Sequence, residues 1–169
     1  MIVLFPLSAA TSATGGSEGL SLGSRNAEYH ERRLSVIQQF CILLDRLHSK
    51  GIVHGDVKPS NLLFDAAGNL RSIDFAEAVL ESEPLCRYTI TTHYPSPSSL
   101  KQGSPLTRAN DLYAAGMTIW HIYTGRVPFE VIEEDDLYSL IEQGLRPDLS
   151  LIDDEAVRSL ILKYLDSGE

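Results

Sequence analysis

Between residues 54 and 74 the sequence gathers side chains that could handle a phosphate: His54, Asp56, Lys58 and Asn61 within HGDVKPSNLL, then Asp74 within SIDFAEA. Moving a phosphoryl group calls for a carboxylate near the attacking hydroxyl, a cation on the moving phosphate and hard oxygen ligands for magnesium. All must be presented from loops on a rigid base. Taken singly, Asp74 reads as readily as a turn or capping aspartate, and His54 as a core histidine with its hydrogen bonds met. Only the joint arrangement distinguishes these readings, so the elements that would position the residues matter.

Before the segment, Leu34, Ile37, Phe40, Cys41, Leu44 and Leu47 recur at the spacing of one helix face, which predicts a helix that Lys50 and Gly51 end. Cys41 on this stripe is expected to act as a small buried hydrophobe. Leu62–Phe64 and Leu70–Ile73 read as strands joined by Asp65-Ala66-Ala67-Gly68-Asn69, a β-hairpin. Residues 81–101 are rich in Ser, Thr and Pro and are expected to form a surface loop. DLYAAGMTIWHIY, from Asp111 to Tyr123, is apolar or small at almost every position, which predicts a helix buried on most sides, with Thr107 as its cap and Gly125 and Pro128 as its stop. Two amphipathic helices follow, around Asp136–Gln143 and around Asp154–Leu165, the second with Asp153 able to cap it.

In this order, the motifs resemble the protein kinase family of eukaryotic type. His54, Asp56 and Asn61 match the family's catalytic loop, H-R-D-x-x-x-x-N, and SIDFAEA is similar to its DFG segment. THYPSPSS, within residues 91–99, resembles the end of an activation segment, and residues 110–130 resemble the long central helix and the loop after it. The resemblance implies that Asp56 orients the substrate hydroxyl and accepts its proton, that Lys58 steadies the γ-phosphate, and that Asn61 and Asp74 bind Mg2+. Lys58-Pro59 resembles the serine/threonine type. Asp111 would accept backbone N–H groups of the catalytic loop and so fix that loop to the core. Ile2–Phe5 looks like the last strand before the interlobe hinge, and Phe5, Pro6 and Leu7 would be hinge residues, with Leu7 among the groups that bind ATP.

The implied fold is mainly α with a small β-hairpin: a protein-kinase-like C-terminal lobe, with the N-terminal lobe absent. Residues 1–7 would be the last strand and hinge, 8–28 a linker, and 29–169 the C-lobe. The sequence departs from the family pattern in four places. No Gly-rich phosphate loop, strand lysine or helix glutamate precedes Ile2. Gly55 replaces the family arginine, removing a cation that could receive a loop phosphate. Ala76 replaces the DFG glycine. Ser98 stands where a glutamate closes the activation segment, which is expected to loosen that segment.

Composition narrows the remaining possibilities. Hydrophobic residues at 43% against 22% charged residues describe a folded chain, and at 169 residues it has the length to bury a core without staples. A net charge of -9 disfavours nucleic acid and anionic membrane surfaces. Cys41 and Cys86 form no metal-binding or disulfide pattern, so a reducing cytoplasmic or nuclear compartment is expected. No apolar run approaches a membrane span, and the opening MIVLFPLSAATSATGG lacks the basic flank of a secretory signal.

Three functional readings follow. The first is phosphoryl transfer from ATP to Ser/Thr hydroxyls of a protein substrate, with the chain expected to be inactive alone. The second is a pseudokinase or interaction module that binds a regulatory protein partner. The third is a small-molecule phosphotransferase on a kinase-like fold, against which the activation-segment resemblance counts.

Overall fold

A computed structural model gives the architecture and describes residues 2–3, 22–83, 94–101 and 103–168. The expected hinge Phe5–Leu7, most of the 8–28 linker, and residues 84–93 with Cys86 lie outside the described residues.

The first helix, α1 (Leu22–His48), runs 27 residues and starts within the stretch whose loop composition predicts a linker. Its apolar stripe explains its course: Val36, Ile37, Phe40 and Leu44 are buried along one face. Cys41 is half-buried rather than fully enclosed, and it touches Tyr164, while burial pushes its thiol up from the ordinary value. Gly51, at φ 69°, takes the left-handed turn that ends the helix.

The hairpin forms as the sequence predicts, β3 (Leu62–Phe64) against β4 (Leu70–Ser72), with Phe64 opposite Leu70. Asp65 closes it. Its amide donates to the Asn69 carbonyl, and its carboxylate accepts from the amides of Ala67 and Asn69. These backbone donors and Arg71 hold the Asp65 carboxyl down at about 2. Strand β1 (Ile2–Val3) pairs antiparallel with β3, so that β3 is the central strand and β1 and β4 are the two edges of this three-stranded sheet. A second ribbon, β2 (Ile52–Val53) with β5 (Val79–Leu80), carries no signal in the sequence, because two-residue strands are too short to show a period.

At the centre lies α2 (Arg108–Thr124), buried along most of its length, as its composition predicts. Thr107 precedes it and Gly125, at φ 71°, closes it. Gly116 lets α4 (Glu155–Ser167) approach, since a Cβ there would stand 2.9 Å from Leu165. The cap of α4 is Asp154, which accepts from the Val157 amide at 3.0 Å, and not Asp153, which instead accepts from the Tyr123 hydroxyl. Helix α3 (Glu134–Glu142) contributes Leu137 and Ile141 to the interior. The described part of the chain is thus mostly helical with small antiparallel sheets. No helix among the described residues is long and apolar enough to cross a membrane.

Candidate functional site

The chemistry-bearing residues follow β2 on a short loop between α1 and the hairpin. Gly55 lets the chain turn there, at φ 78°, and a Cβ at this position would meet the Glu77 carbonyl oxygen at 2.6 Å. The glycine that departs from the family arginine therefore sits where the backbone is left-handed and walled in.

Past this turn, Asp56, Lys58 and Asn61 converge. The Asn61 side-chain amide donates to both the carbonyl and a carboxylate oxygen of Asp56, each at 2.8 Å. Lys58 Nζ lies 2.7 Å from the same carboxylate oxygen. Asp56 and Asn61 are buried and Lys58 is half-buried, so the charged pair is shielded from bulk water on one side. Pro59 opens a 3-10 turn ending at Asn61, which brings the amide back over the aspartate.

The loop is anchored from below by α2. Asp111, 1% exposed, accepts from the backbone amides of His54 at 2.7 Å through Oδ2 and Gly55 at 2.9 Å through Oδ1, and His48 Nε2 lies 2.9 Å from Oδ2, the oxygen shared with the His54 amide. This is the contact the resemblance implies for Asp111. His54 is itself fully satisfied. Its Nδ1 accepts from the Asp56 amide at 3.3 Å, so its Nε2 carries the proton and donates to Ser72 Oγ at 2.7 Å.

Asp74 follows β4 and is exposed, at φ 59°, in the left-handed region that costs a non-glycine residue conformational energy. The Ile73 amide donates to the Asn61 carbonyl at 3.0 Å, which sets Asp74 beside the Asn61 turn. The unusual torsion thus falls on Asp74 and not on Ala76, which explains why alanine is accommodated where the family has glycine. Phe75, 45% exposed, tilts against the His54 ring at 4.9 Å. Leu7 lies outside the described residues.

The stretch expected as a surface loop is, over residues 94–96, interior. Tyr94 packs in parallel with His121, its hydroxyl 2.6 Å from Nδ1. Burial first, and then the negative charge of Asp56, push that hydroxyl far above the ordinary tyrosine value. Ser96 and Ser98 both meet the side-chain amide of Asn110, at 2.7 and 3.1 Å. Sequence reasoning missed Ser96 and Asn110, and it singled out Ser98 only as a departure expected to loosen the segment. The Thr107-x-x-Asn110 spacing of a helix cap was the available signal.

Among the described residues no group of three or more His, Cys, Asp or Glu side chains is arranged to hold a metal ion. Mg2+ needs no such cage when substrate phosphates and water complete its shell, and one carboxylate with one amide oxygen is a suitable hard donor set. Asp74 and Asn61 fit that requirement.

A family model described as protein kinase domain matches residues 16–161. The serine/threonine-protein kinase PrkC of Bacillus subtilis is 32% identical over 121 residues, covering 67% of this chain and 18% of that protein. The probable serine/threonine-protein kinase PknB of Lactococcus lactis is 33% identical over 105 residues, 60% of this chain and 17% of its own. The serine/threonine-protein kinase RUNKEL of Arabidopsis thaliana is 35% identical over 112 residues, 64% of this chain and 8% of that protein. The chain thus spans less than a fifth of the length of these relatives.

Proposed function

This chain belongs to the protein kinase domain family, and from that premise we propose that it forms the C-terminal lobe of a serine/threonine protein kinase. It holds the acceptor hydroxyl and the metal side of the nucleotide. The observation that carries this reading is the convergence of Asp56, Lys58 and Asn61 at 2.7 to 2.8 Å on a loop tied to α2 by Asp111.

Asp56 orients the hydroxyl of a Ser or Thr in the protein substrate and takes its proton as the new O–P bond forms to the γ-phosphorus of ATP and the bond from that phosphorus to the bridging oxygen breaks, with ADP as the leaving group. Its carboxylate is ready for this: buried on one side, with its orientation fixed by the Asn61 amide and the Lys58 ammonium. Lys58, with a flexible stem and a pairing that can be exchanged, turns toward the γ-phosphate of ATP and offsets the charge there. Asn61 and Asp74 present oxygens to Mg2+. When bound, magnesium neutralises charge on the phosphates. Positioning and preorganised charge supply nearly all catalysis of this type, which makes the rigidity conferred by Asp111 part of the mechanism.

A second reading is favoured by one observation: Phe75, Ile73 and Leu80 expose 45, 38 and 51% of their surface around the loop. Such apolar exposure suits a module that docks a protein partner.

The test is a thermal melt of the purified chain with ATP, with and without Mg2+, beside Asp74→Asn. A magnesium-dependent rise in Tm that vanishes in Asp74→Asn supports the phosphotransferase reading, because a ligand that binds the native state stabilises it. No rise at saturating nucleotide overturns that reading for this chain and leaves the docking module.

A further inference from the structure

Asp111 and the residue before it divide two tasks. Asp111 holds the loop that carries Asp56. Asn110, buried beside it, holds the segment that faces Asp56 from the other side of a cleft lined by Asp56, Tyr94, Ser96, Ser99 and Leu106. Its side-chain amide donates to Ser96 Oγ at 2.7 Å and Ser98 Oγ at 3.1 Å. Its side-chain oxygen accepts from the Thr107 amide at 2.7 Å and the Thr107 hydroxyl at 3.0 Å. Both ends of the amide are thereby committed, which fixes its rotamer. Ser96 in turn organises the turn that follows: its Oγ accepts from the Ser99 amide at 3.2 Å, and its carbonyl accepts from Ser99 Oγ at 2.8 Å.

We propose that Asn110 is a positioning residue. Through Ser96 and Ser98 it clamps residues 94–99 as the wall of the substrate cleft, by uncharged hydrogen bonds in place of an ion pair. The serine at position 98 is therefore a working part of an alternative lock and does not loosen the segment. Because the lock carries no net charge, its strength does not fall with ionic strength as that of an exposed ion pair would. That the clamped wall receives a protein substrate rests on the proposed function; the clamp itself does not.

Amide hydrogen exchange on the full chain separates these statements. Ser96→Ala/Ser98→Ala removes the acceptors and leaves the Asn110–Thr107 contact intact. Exchange at residues 94–101 is expected to quicken about tenfold or more, the loss that follows from stranding a buried donor, while the His54 and Gly55 amides stay slow. Asp111→Asn is expected to do the reverse, quickening His54 and Gly55 first. Ser98→Thr, which keeps a hydroxyl within reach of Asn110, is expected to stay close to the parent, and high salt should leave protection of 94–101 unchanged. Equal quickening of both regions in the double serine variant, or none at 94–101, overturns the clamp. Retention of this pattern in a chain whose melting ignores magnesium and ATP would keep the clamp and remove only its assignment to a kinase substrate cleft.

Discussion

The carboxylate of Asp111 and the backbone amide of His54 are 57 residues apart in sequence and 2.7 Å apart in the fold, both out of contact with water. A charged acceptor buried among amide donors and the His48 ring is held by all of them, so its removal leaves several groups unpaired at once.

Replacing Asp111 with Asn keeps the volume and takes away the charge, and it turns one acceptor into a donor that faces other donors. Stability in urea should fall by about 3 kcal/mol, on the scale of breaking a buried charge-assisted contact. An unchanged midpoint would mean that the loop is held by something other than this carboxylate.

Gly55 carries a different constraint. Its φ of 78° and the Glu77 carbonyl at 2.6 Å from the position of a Cβ penalise any side chain. Gly55→Ala should cost about 2 kcal/mol or more, measured by chemical denaturation. Gly55→Arg, which would restore the family residue, should do no better. Only a parent-like stability for Gly55→Ala would show that the loop yields easily.

Tyr123 and Asp153 make a pH-dependent contact at the far end of α2. The Tyr123 hydroxyl bond holds the Asp153 carboxyl below the usual carboxylate range, while burial, and then Asp153 itself, push the Tyr123 hydroxyl up to about 12. A carboxyl depressed in the folded state adds stability that is complete above its unfolded value and fades as pH falls through the folded one. A hydroxyl raised in the folded state adds stability that is complete below the ordinary tyrosine value of about 10 and fades as pH rises through about 12. Tyr123→Phe should return the Asp153 carboxyl toward its ordinary value in a carbon-13 titration and flatten both limbs of the stability profile. A titration identical to the parent would rule the contact out.

Much of this architecture is written in the chain itself. The α1 stripe from Leu34 to Leu47, the Asp65–Asn69 reversal and the apolar run of α2 depend on neighbours within a few residues, and those elements form where their patterns lie. The grouping of Asp56, Lys58 and Asn61 is local too, since a six-residue stretch turned by Pro59 cannot carry them far apart.

What needed the tertiary structure is whatever joins distant residues. Composition marks residues 94–98 as loop, yet Tyr94 and Ser96 are buried, because α2 supplies His121 and Asn110 as partners for polar groups that would otherwise be left unpaired. The choice of Asp154 over its neighbour Asp153 as the α4 cap was settled in the same way. Tyr123, arriving on another helix, occupies Asp153 and leaves the cap to the next carboxylate. By itself the sequence determined the helices, the hairpin and the cluster on the loop, since short-range backbone preferences and hydrophobic periodicity suffice for these. Only packing around α2 decided which polar groups meet across the fold, because a hydrogen-bond partner for a buried group is set by what the core brings within 3 Å.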